Sequence, residues 1–302
     1  MNTRNQFKLL FIATIVFILI WWFFNSAMDI SIHSEDIHHP SDINGEPVRY
    51  FGIVPRYTPR EIYIGYQPIV DFLTEYTPYR FELKLGKSYN GIAEQLAQGN
   101  VAIASLGSFV YVTNKDAYGL EVILKSLNPG GKDYFNTTFI THDTTGIKSL
   151  SDLKGKTLLL PSKESLTGQW MPVYLEKKAR VSPAELKEIN FVSHHTTVAE
   201  KVLKGEFDAG VVKSVIAEKY EDRGLRVFHK SPQIPPTPIV VSEHTDQETR
   251  EAVITALLSI DIEDPETASM LKSWDEEFSH GFKPARDSDY DIIRTIVSSL
   301  AN

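Results

Sequence analysis

The chain has 302 residues, 42% hydrophobic and 23% charged, an ordinary globular composition with enough length for two lobes that each own a core. The net charge of −8, with acidic and basic residues interspersed and no Lys/Arg-rich run in the polar part, excludes an extended nucleic-acid surface. The absence of cysteine excludes disulfides, thiolate metal sites, Cys nucleophiles and the lipid-bearing Cys of bacterial lipoproteins.

At the N-terminus, Arg4 and Lys8 precede an apolar run over residues 9–24 that ends in Trp21-Trp22-Phe23-Phe24. A basic flank, an apolar core and an aromatic belt suit a segment entering a bilayer with its N-terminus in the cytoplasm. Residues 1–28 are therefore read as an N-terminal inner-membrane helix. The alternative is a cleaved signal peptide with Asn25-Ser26-Ala27 as its site; Asn at the third position before cleavage and four bulky aromatics upstream make that site poor. Either way the remainder is exported to the periplasm. Residues 29–47 are polar and without period, and read as a linker. Its His33, Asp36, His38, His39 and Asp42 match no tight metal spacing.

From Val48 a strand–helix alternation begins. Residues 49–54 (RYFGIV) read as a strand, 59–76 as a helix, 79–85 as a strand and 88–98 as a helix capped by Ser88 and stopped at Gly99. Residues 101–106 form a short apolar strand of the kind buried on both faces. This order predicts a parallel sheet with covering helices. A second unit repeats the grammar. It has a strand at 156–160 (KTLLL), a helix at 165–179, strands at 188–192 and 207–212, and a helix at 195–203 between them. The chain then passes Pro232-Gln233-Ile234-Pro235-Pro236, returns as a strand at 239–242, and ends in helices at 247–259, 265–273 and 288–299. The predicted fold class is α/β, two-lobed and hinged. Lobe 1 takes residues 48–138 and 237–302, lobe 2 takes 139–236, and ligand sits in the crevice at the strands' carboxyl ends.

Three local signals carry chemistry. Ser165 and Thr167 lie at a strand-to-helix junction, where exposed amides and the dipole suit a tetrahedral oxyanion without needing Lys or Arg; an ordinary N-cap explains Ser165 equally well. His195 opens the next such helix after Ser193-His194, where an imidazole donates to an anionic oxygen; solvent-facing loop histidines are the plainer reading. Tyr89, Tyr111 and Tyr134 offer apolar walls with a hydroxyl, although tyrosines more often simply pack. GxSxG is absent, so Ser165 lacks the nucleophile-elbow context. No metal or cofactor site is predicted.

Six stretches in order then give a resemblance: FGIVPRYTP from Phe51, SYNGIAEQLAQGNVAIASLG from Ser88, LKGKTLLLPSKESLTGQWMP from Leu153, FVSHHTTVAEKVLKGEFDAGVV from Phe191, SPQIPPTPIVVS from Ser231 and FKPARDSDYD from Phe282. Together they resemble the phosphate/phosphite/phosphonate-binding component of ABC importers, the PhnD-type substrate-binding family, over residues 50–293. The resemblance implies a type II periplasmic-binding-protein fold that captures a small phosphorus oxyanion and catalyses nothing. Its partner would be an ABC permease, with a membrane sensor kinase as the alternative.

Carried over by position, the resemblance assigns ligand binding to Ser165, Thr167 and His195, with Tyr89 and Tyr134 from the facing lobe. Gly168, Gly205 and Asp208 keep their family residues. The middle hydroxyl of the family's Ser-Thr-Ser-Gly is Leu166 here, which removes one oxygen contact. The acidic residues that hold the ammonium of aminoalkylphosphonates are replaced by Val215 and Thr237. Poor binding of 2-aminoethylphosphonate is therefore expected, since a buried ammonium would be unpaired.

Overall fold

The computed structural model of the chain describes residues 48–300. The membrane helix and linker expected over residues 1–47 lie outside them. Among the described residues no helix is long and apolar enough to cross a membrane.

Strands β1 (Val48–Ile53), β2 (Arg80–Leu85) and β3 (Ile103–Ser105) alternate with helices α1 (Pro59–Tyr76) and α2 (Tyr89–Ala97). The start of α1 is written locally. Thr58 and Glu61 form a capping box, and Pro59 occupies a first-turn position whose missing N–H costs nothing. Ile62, Tyr66, Ile69 and Leu73 follow at helical spacing and are buried in one core. Each such side chain contributes roughly 1.5–3 kcal/mol by leaving water.

Helix α3 (Ser108–Tyr118) and strand β4 (Glu121–Ser126) come next, and neither was expected. The apolar residues of α3 crowd into its first turn as Phe109, Val110, Tyr111 and Val112, so no 3.6-residue stripe marks it. Strand β5 (Thr137–His142) opens the second half. It is followed by β6 (Thr157–Leu160), α4 (Leu166–Ala179), β7 (Glu188–Phe191), α5 (His195–Leu203), β8 (Ala209–Lys213), α6 (Ser214–Glu221) and β9 (Leu225–Lys230). Strand β10 (Pro238–Val241), α7 (Gln247–Leu258), α8 (Pro265–Leu271), β11 (Phe282–Pro284) and α9 (Asp291–Leu300) end the described chain. The helix expected at 288–299 is split: a 3-10 turn at Asp287–Tyr290 precedes α9.

Two sheets result, ordered β11-β4-β10-β3-β1-β2 and β7-β6-β8-β5-β9. They are mixed rather than wholly parallel, which corrects the expectation of a parallel sheet. β2, β1 and β3 pair in parallel, as do β7, β6 and β8. β10 runs antiparallel to β3 and β4, and β5 antiparallel to β8 and β9. β10 and β11 run against the rest of the first sheet and β5 against the rest of the second; β10 and β5 are the strands the chain enters directly from the other sheet, and β11 follows β10 by a helical return. A direct crossing delivers the strand from the opposite end, whereas a helical return keeps the direction. The two crossing segments pair with each other, the amides of Phe135 and Ile234 each donating to the other's carbonyl at 2.9 Å. This two-stranded link joins the sheets.

Candidate functional site

A cavity of ≈ 30 Å³ lies between residues carried by the two sheets. That is room for about two ordered waters or one compact group. The topology explains why it forms there. Parallel strands with helical returns bring every strand-to-helix junction to one end of the sheet. Tyr89 opens α2, Ser108 opens α3, Leu166 opens α4 and His195 opens α5, and all four line the cavity. Lys213, the N-cap of α6, lines it too. The first turn of each helix leaves amides that no intrahelical carbonyl reaches, and each dipole presents its positive end. Several such ends on one enclosed space favour an anion.

At α4, Ser165 is the N-cap. Its hydroxyl accepts from the Gly168 amide at 3.1 Å and donates to the Ser162 carbonyl at 2.7 Å. Its hydrogen is therefore committed to shaping the turn. Thr167 is buried and its hydroxyl meets only that of Thr137, at 3.4 Å, so it is the freer donor. Gly168 is required by close approach: a Cβ there would stand 2.2 Å from the Ser162 carbonyl oxygen. Leu166, where a hydroxyl was missing by resemblance, gives the cavity an apolar wall.

Three buried polar atoms on cavity residues have no partner among the described residues: the Tyr89 hydroxyl, Nδ1 of His195 and Nε of Arg56. A buried polar group left unpaired costs about 1–3 kcal/mol, so three around one cavity call for a shared explanation. Acceptor oxygens on a ligand are the partners that the Tyr89 hydroxyl, Arg56 Nε and, in its Nδ1–H tautomer, His195 can take. Burial pushes the Tyr89 hydroxyl above the ordinary tyrosine range, keeping it a donor. Burial first, then the neighbouring Lys213 ammonium, pulls His195 down to about 3, so its imidazole is neutral near pH 7.

The charged wall was not anticipated. Arg56 follows β1 and is 3% exposed; its Nη1 donates to Glu277 Oε2 at 2.7 Å and to Thr237 Oγ1 at 3.1 Å, and its Nη2 to Ser105 Oγ at 3.1 Å. Lys213, from the other sheet, donates to both Glu277 oxygens at 2.8 and 2.9 Å and lies over the Phe135 ring at 4.9 Å. The two cations hold the Glu277 carboxyl well below the usual carboxylate range, although burial opposes them. Arg56, Lys213 and Glu277 together carry one net positive charge; the cavity is also lined by the Glu164 carboxylate, which accepts the Tyr89 amide. The expectation that an oxyanion would be held without Lys or Arg is thus replaced by a site with both.

Ser165, Thr167, His195 and Tyr89 share the cavity. Tyr134 is not among its lining residues; it is half-buried, its carbonyl accepts from Asn128 Nδ2 at 2.7 Å, and the adjacent Phe135 lines the space instead. Tyr111 packs inside α3 and donates to Asp287 at 2.6 Å. Asp208 accepts from the Thr157 amide and hydroxyl at 2.8 and 2.9 Å, bracing β6. Val215 borders an adjoining recess, and Thr237 lines both spaces. Sequence reasoning missed Arg56, Lys213, Glu277 and Phe135. The position of Arg56, just past a strand's carboxyl end, was the one available signal.

Comparison with known proteins places the fold and the family. The chain is 23% identical over 274 residues to the phosphate-import protein PhnD of Mycolicibacterium smegmatis, covering 80% of this chain and 83% of that one. A binding-protein component of an ABC phosphonate transporter from Pseudomonas aeruginosa superposes with a TM-score of 0.75 at 21% identity, covering 85% of this chain and 87% of the other. PhnD1 from Prochlorococcus marinus, solved in complex with methylphosphonate, gives 0.71 at 18% identity, covering 84% and 98%. The profile of one family, described as "ABC transporter, phosphonate, periplasmic substrate-binding protein", matches residues 51–290, most of the sequence and nearly all of the described fold. The chain belongs to the periplasmic substrate-binding protein family of phosphonate ABC transporters.

Proposed function

We propose that this protein captures a small phosphorus oxyanion (phosphate, phosphite or a short alkylphosphonate) in the cavity between its two lobes and delivers it to an ABC permease. The observation that carries the reading is the convergence of three unpartnered buried polar atoms, on Tyr89, His195 and Arg56, with four helix starts on one small space. The methylphosphonate in the Prochlorococcus relative and the phosphate named for the Mycolicibacterium one are ligands of matching size and charge.

Ligand settles against the second sheet. There the first-turn amides of α4, the Thr167 hydroxyl and His195 take its oxygens; Tyr89 and Arg56 close from the first sheet. The hydrogen bonds gained only when both sides engage select the closed arrangement. Capture without turnover belongs to the same reading. The hydrogen of Ser165 is committed to a backbone carbonyl, and among the described residues its hydroxyl makes no hydrogen bond to His195. No nucleophile–base pair is assembled from them. Tethering to the inner membrane through residues 1–28, supported by the basic flank and apolar run, keeps the binder near its permease.

Thermal unfolding of the full chain with phosphate, phosphite, methylphosphonate, sulfate and molybdate tests the ligand class. A ligand at one hundred times its Kd stabilises by about 2.7 kcal/mol. A shift with at least one phosphorus oxyanion and none with sulfate or molybdate is expected; no shift with any phosphorus oxyanion contradicts the proposal. Co-purification of a permease, rather than a kinase, tests delivery.

A further inference from the structure

Beside the central cavity lies a smaller recess of ≈ 10 Å³, and Phe135, Lys213 and Thr237 line both. The recess holds one water at most. Its carboxylate is Glu277, 4% exposed. Oε1 of Glu277 accepts from Lys213 Nζ at 2.8 Å and the Tyr57 hydroxyl at 2.9 Å. Oε2 accepts from Arg56 at 2.7 Å, from Thr237 Oγ1 at 2.5 Å and again from Lys213 at 2.9 Å. Two carboxylate oxygens offer about four lone-pair directions, so none is left over.

A ligand in the central cavity that extended a substituent toward the recess would therefore meet the Lys213 ammonium. A substituent bearing its own ammonium would meet a like charge and find the carboxylate taken. Such a buried, unpaired cation is strongly disfavoured. Glu164, the carboxylate that lines the central cavity, does not serve the recess. It accepts the Tyr89 amide at 2.7 Å and faces an outer groove lined by Lys87, Ser88 and His194.

We propose that Lys213 is the specificity-determining residue of this site: a tethered ammonium that occupies the carboxylate-lined recess, so that the cavity takes phosphorus oxyanions with no amine and no substituent longer than a methyl group. This rests on the reading that the cavity binds a phosphorus oxyanion. It adds which members of the class are excluded and the residue that excludes them. Removing the Lys213 side chain opens the recess and frees two acceptor directions on Glu277, which an ammonium on the ligand can take.

The test is calorimetric titration of the full chain, wild type and Lys213→Ala, with methylphosphonate, ethylphosphonate and 2-aminoethylphosphonate. Wild type binds methylphosphonate at least about tenfold tighter than ethylphosphonate, and the amine most weakly. In Lys213→Ala, methylphosphonate weakens and 2-aminoethylphosphonate tightens by about tenfold each, shifting the preference by about a hundredfold. The wild-type series decides by itself if the variant does not fold: ethylphosphonate or the amine binding as tightly as methylphosphonate overturns the proposal. So does a folded Lys213→Ala with unchanged preference, while methylphosphonate binding by wild type leaves the functional reading standing. Failure of wild type to bind phosphate, phosphite and methylphosphonate overturns that reading and this proposal together.

Discussion

The backbone amide of Tyr89, at the start of α2, donates to the carboxylate of Glu164 at 2.7 Å. Tyr89 belongs to the half built on the first sheet and Glu164 to the half built on the second, so this bond spans the cleft. A carboxylate at a helix N-terminus gains from both the hydrogen bond and the dipole, about 1 kcal/mol together. Glu164→Ala removes a contact made only when the halves meet. Small-angle scattering should show a larger radius of gyration for the ligand-free variant than for wild type, and equal radii at saturating ligand. Identical ligand-free radii would mean that Glu164 does not hold the closed form.

Ser165 and Thr167 stand two residues apart but do different work. The Ser165 hydroxyl caps α4, whereas that of Thr167 has only a long contact to Thr137. Ser165→Ala should cost about 1 kcal/mol of stability, the usual worth of a cap. Thr167→Val should leave stability nearly unchanged and weaken oxyanion binding about tenfold, the loss of one charge-assisted hydrogen bond. Chemical denaturation and titration calorimetry on both variants separate the two effects; a reversed pattern would reassign the hydroxyls.

His195 titrates from about 6.5 in the unfolded chain to about 3 in the fold, where burial and Lys213 disfavour its charged form. From about one unit above 6.5 both states are neutral and the group contributes no pH dependence. Between the two values the unfolded state binds a proton that the native state does not, so stability falls as pH drops, by up to about 1.4 kcal/mol per pH unit. His195→Gln should flatten this slope between pH 6 and pH 4 while weakening ligand binding. An unchanged slope would show that the imidazole is not held neutral.

Glu277 pairs with Arg56 within the first half and with Lys213 across the cleft, at 2.7–2.9 Å, and all three are buried or nearly so. Breaking a buried pair costs about 3–5 kcal/mol because a charge is left uncompensated. Glu277→Gln should lose stability on that scale without ligand and recover more of it than wild type gains when an oxyanion is added. Its carboxyl is held below the ordinary value, so its contribution is complete above pH 4.5 and fades as pH falls. The pH dependence of unfolding in the variant should lack that acid limb.

How far the site was legible depends on sequence distance. Ser165, Thr167, His195 and Tyr89 each begin a helix that follows a strand, a pattern local enough to read residue by residue. The Arg56–Glu277 contact spans 221 positions and Lys213–Glu277 spans 64, and nothing local distinguishes Glu277 from Asp275 and Glu276. Tyr134 and Phe135 are neighbours on an extended segment, where successive side chains point to opposite sides, so an error of one position moves the aromatic out of the cavity. Strand directions were legible within each helical return but not at the two crossings, where β5 and β10 enter reversed. Helix α3 was lost because its apolar residues bunch instead of repeating.

The most direct test of the account is the Tyr89→Phe substitution, measured twice. The Tyr89 hydroxyl is buried without a partner among the described residues, so deleting it should leave the ligand-free stability unchanged or raise it by about 1 kcal/mol. The same change should weaken methylphosphonate or phosphate binding by about ten- to a hundredfold, the loss of one hydrogen bond to a charged oxygen. Wild-type affinity in a folded Tyr89→Phe protein would contradict the claim that these stranded polar groups exist to grip an oxyanion.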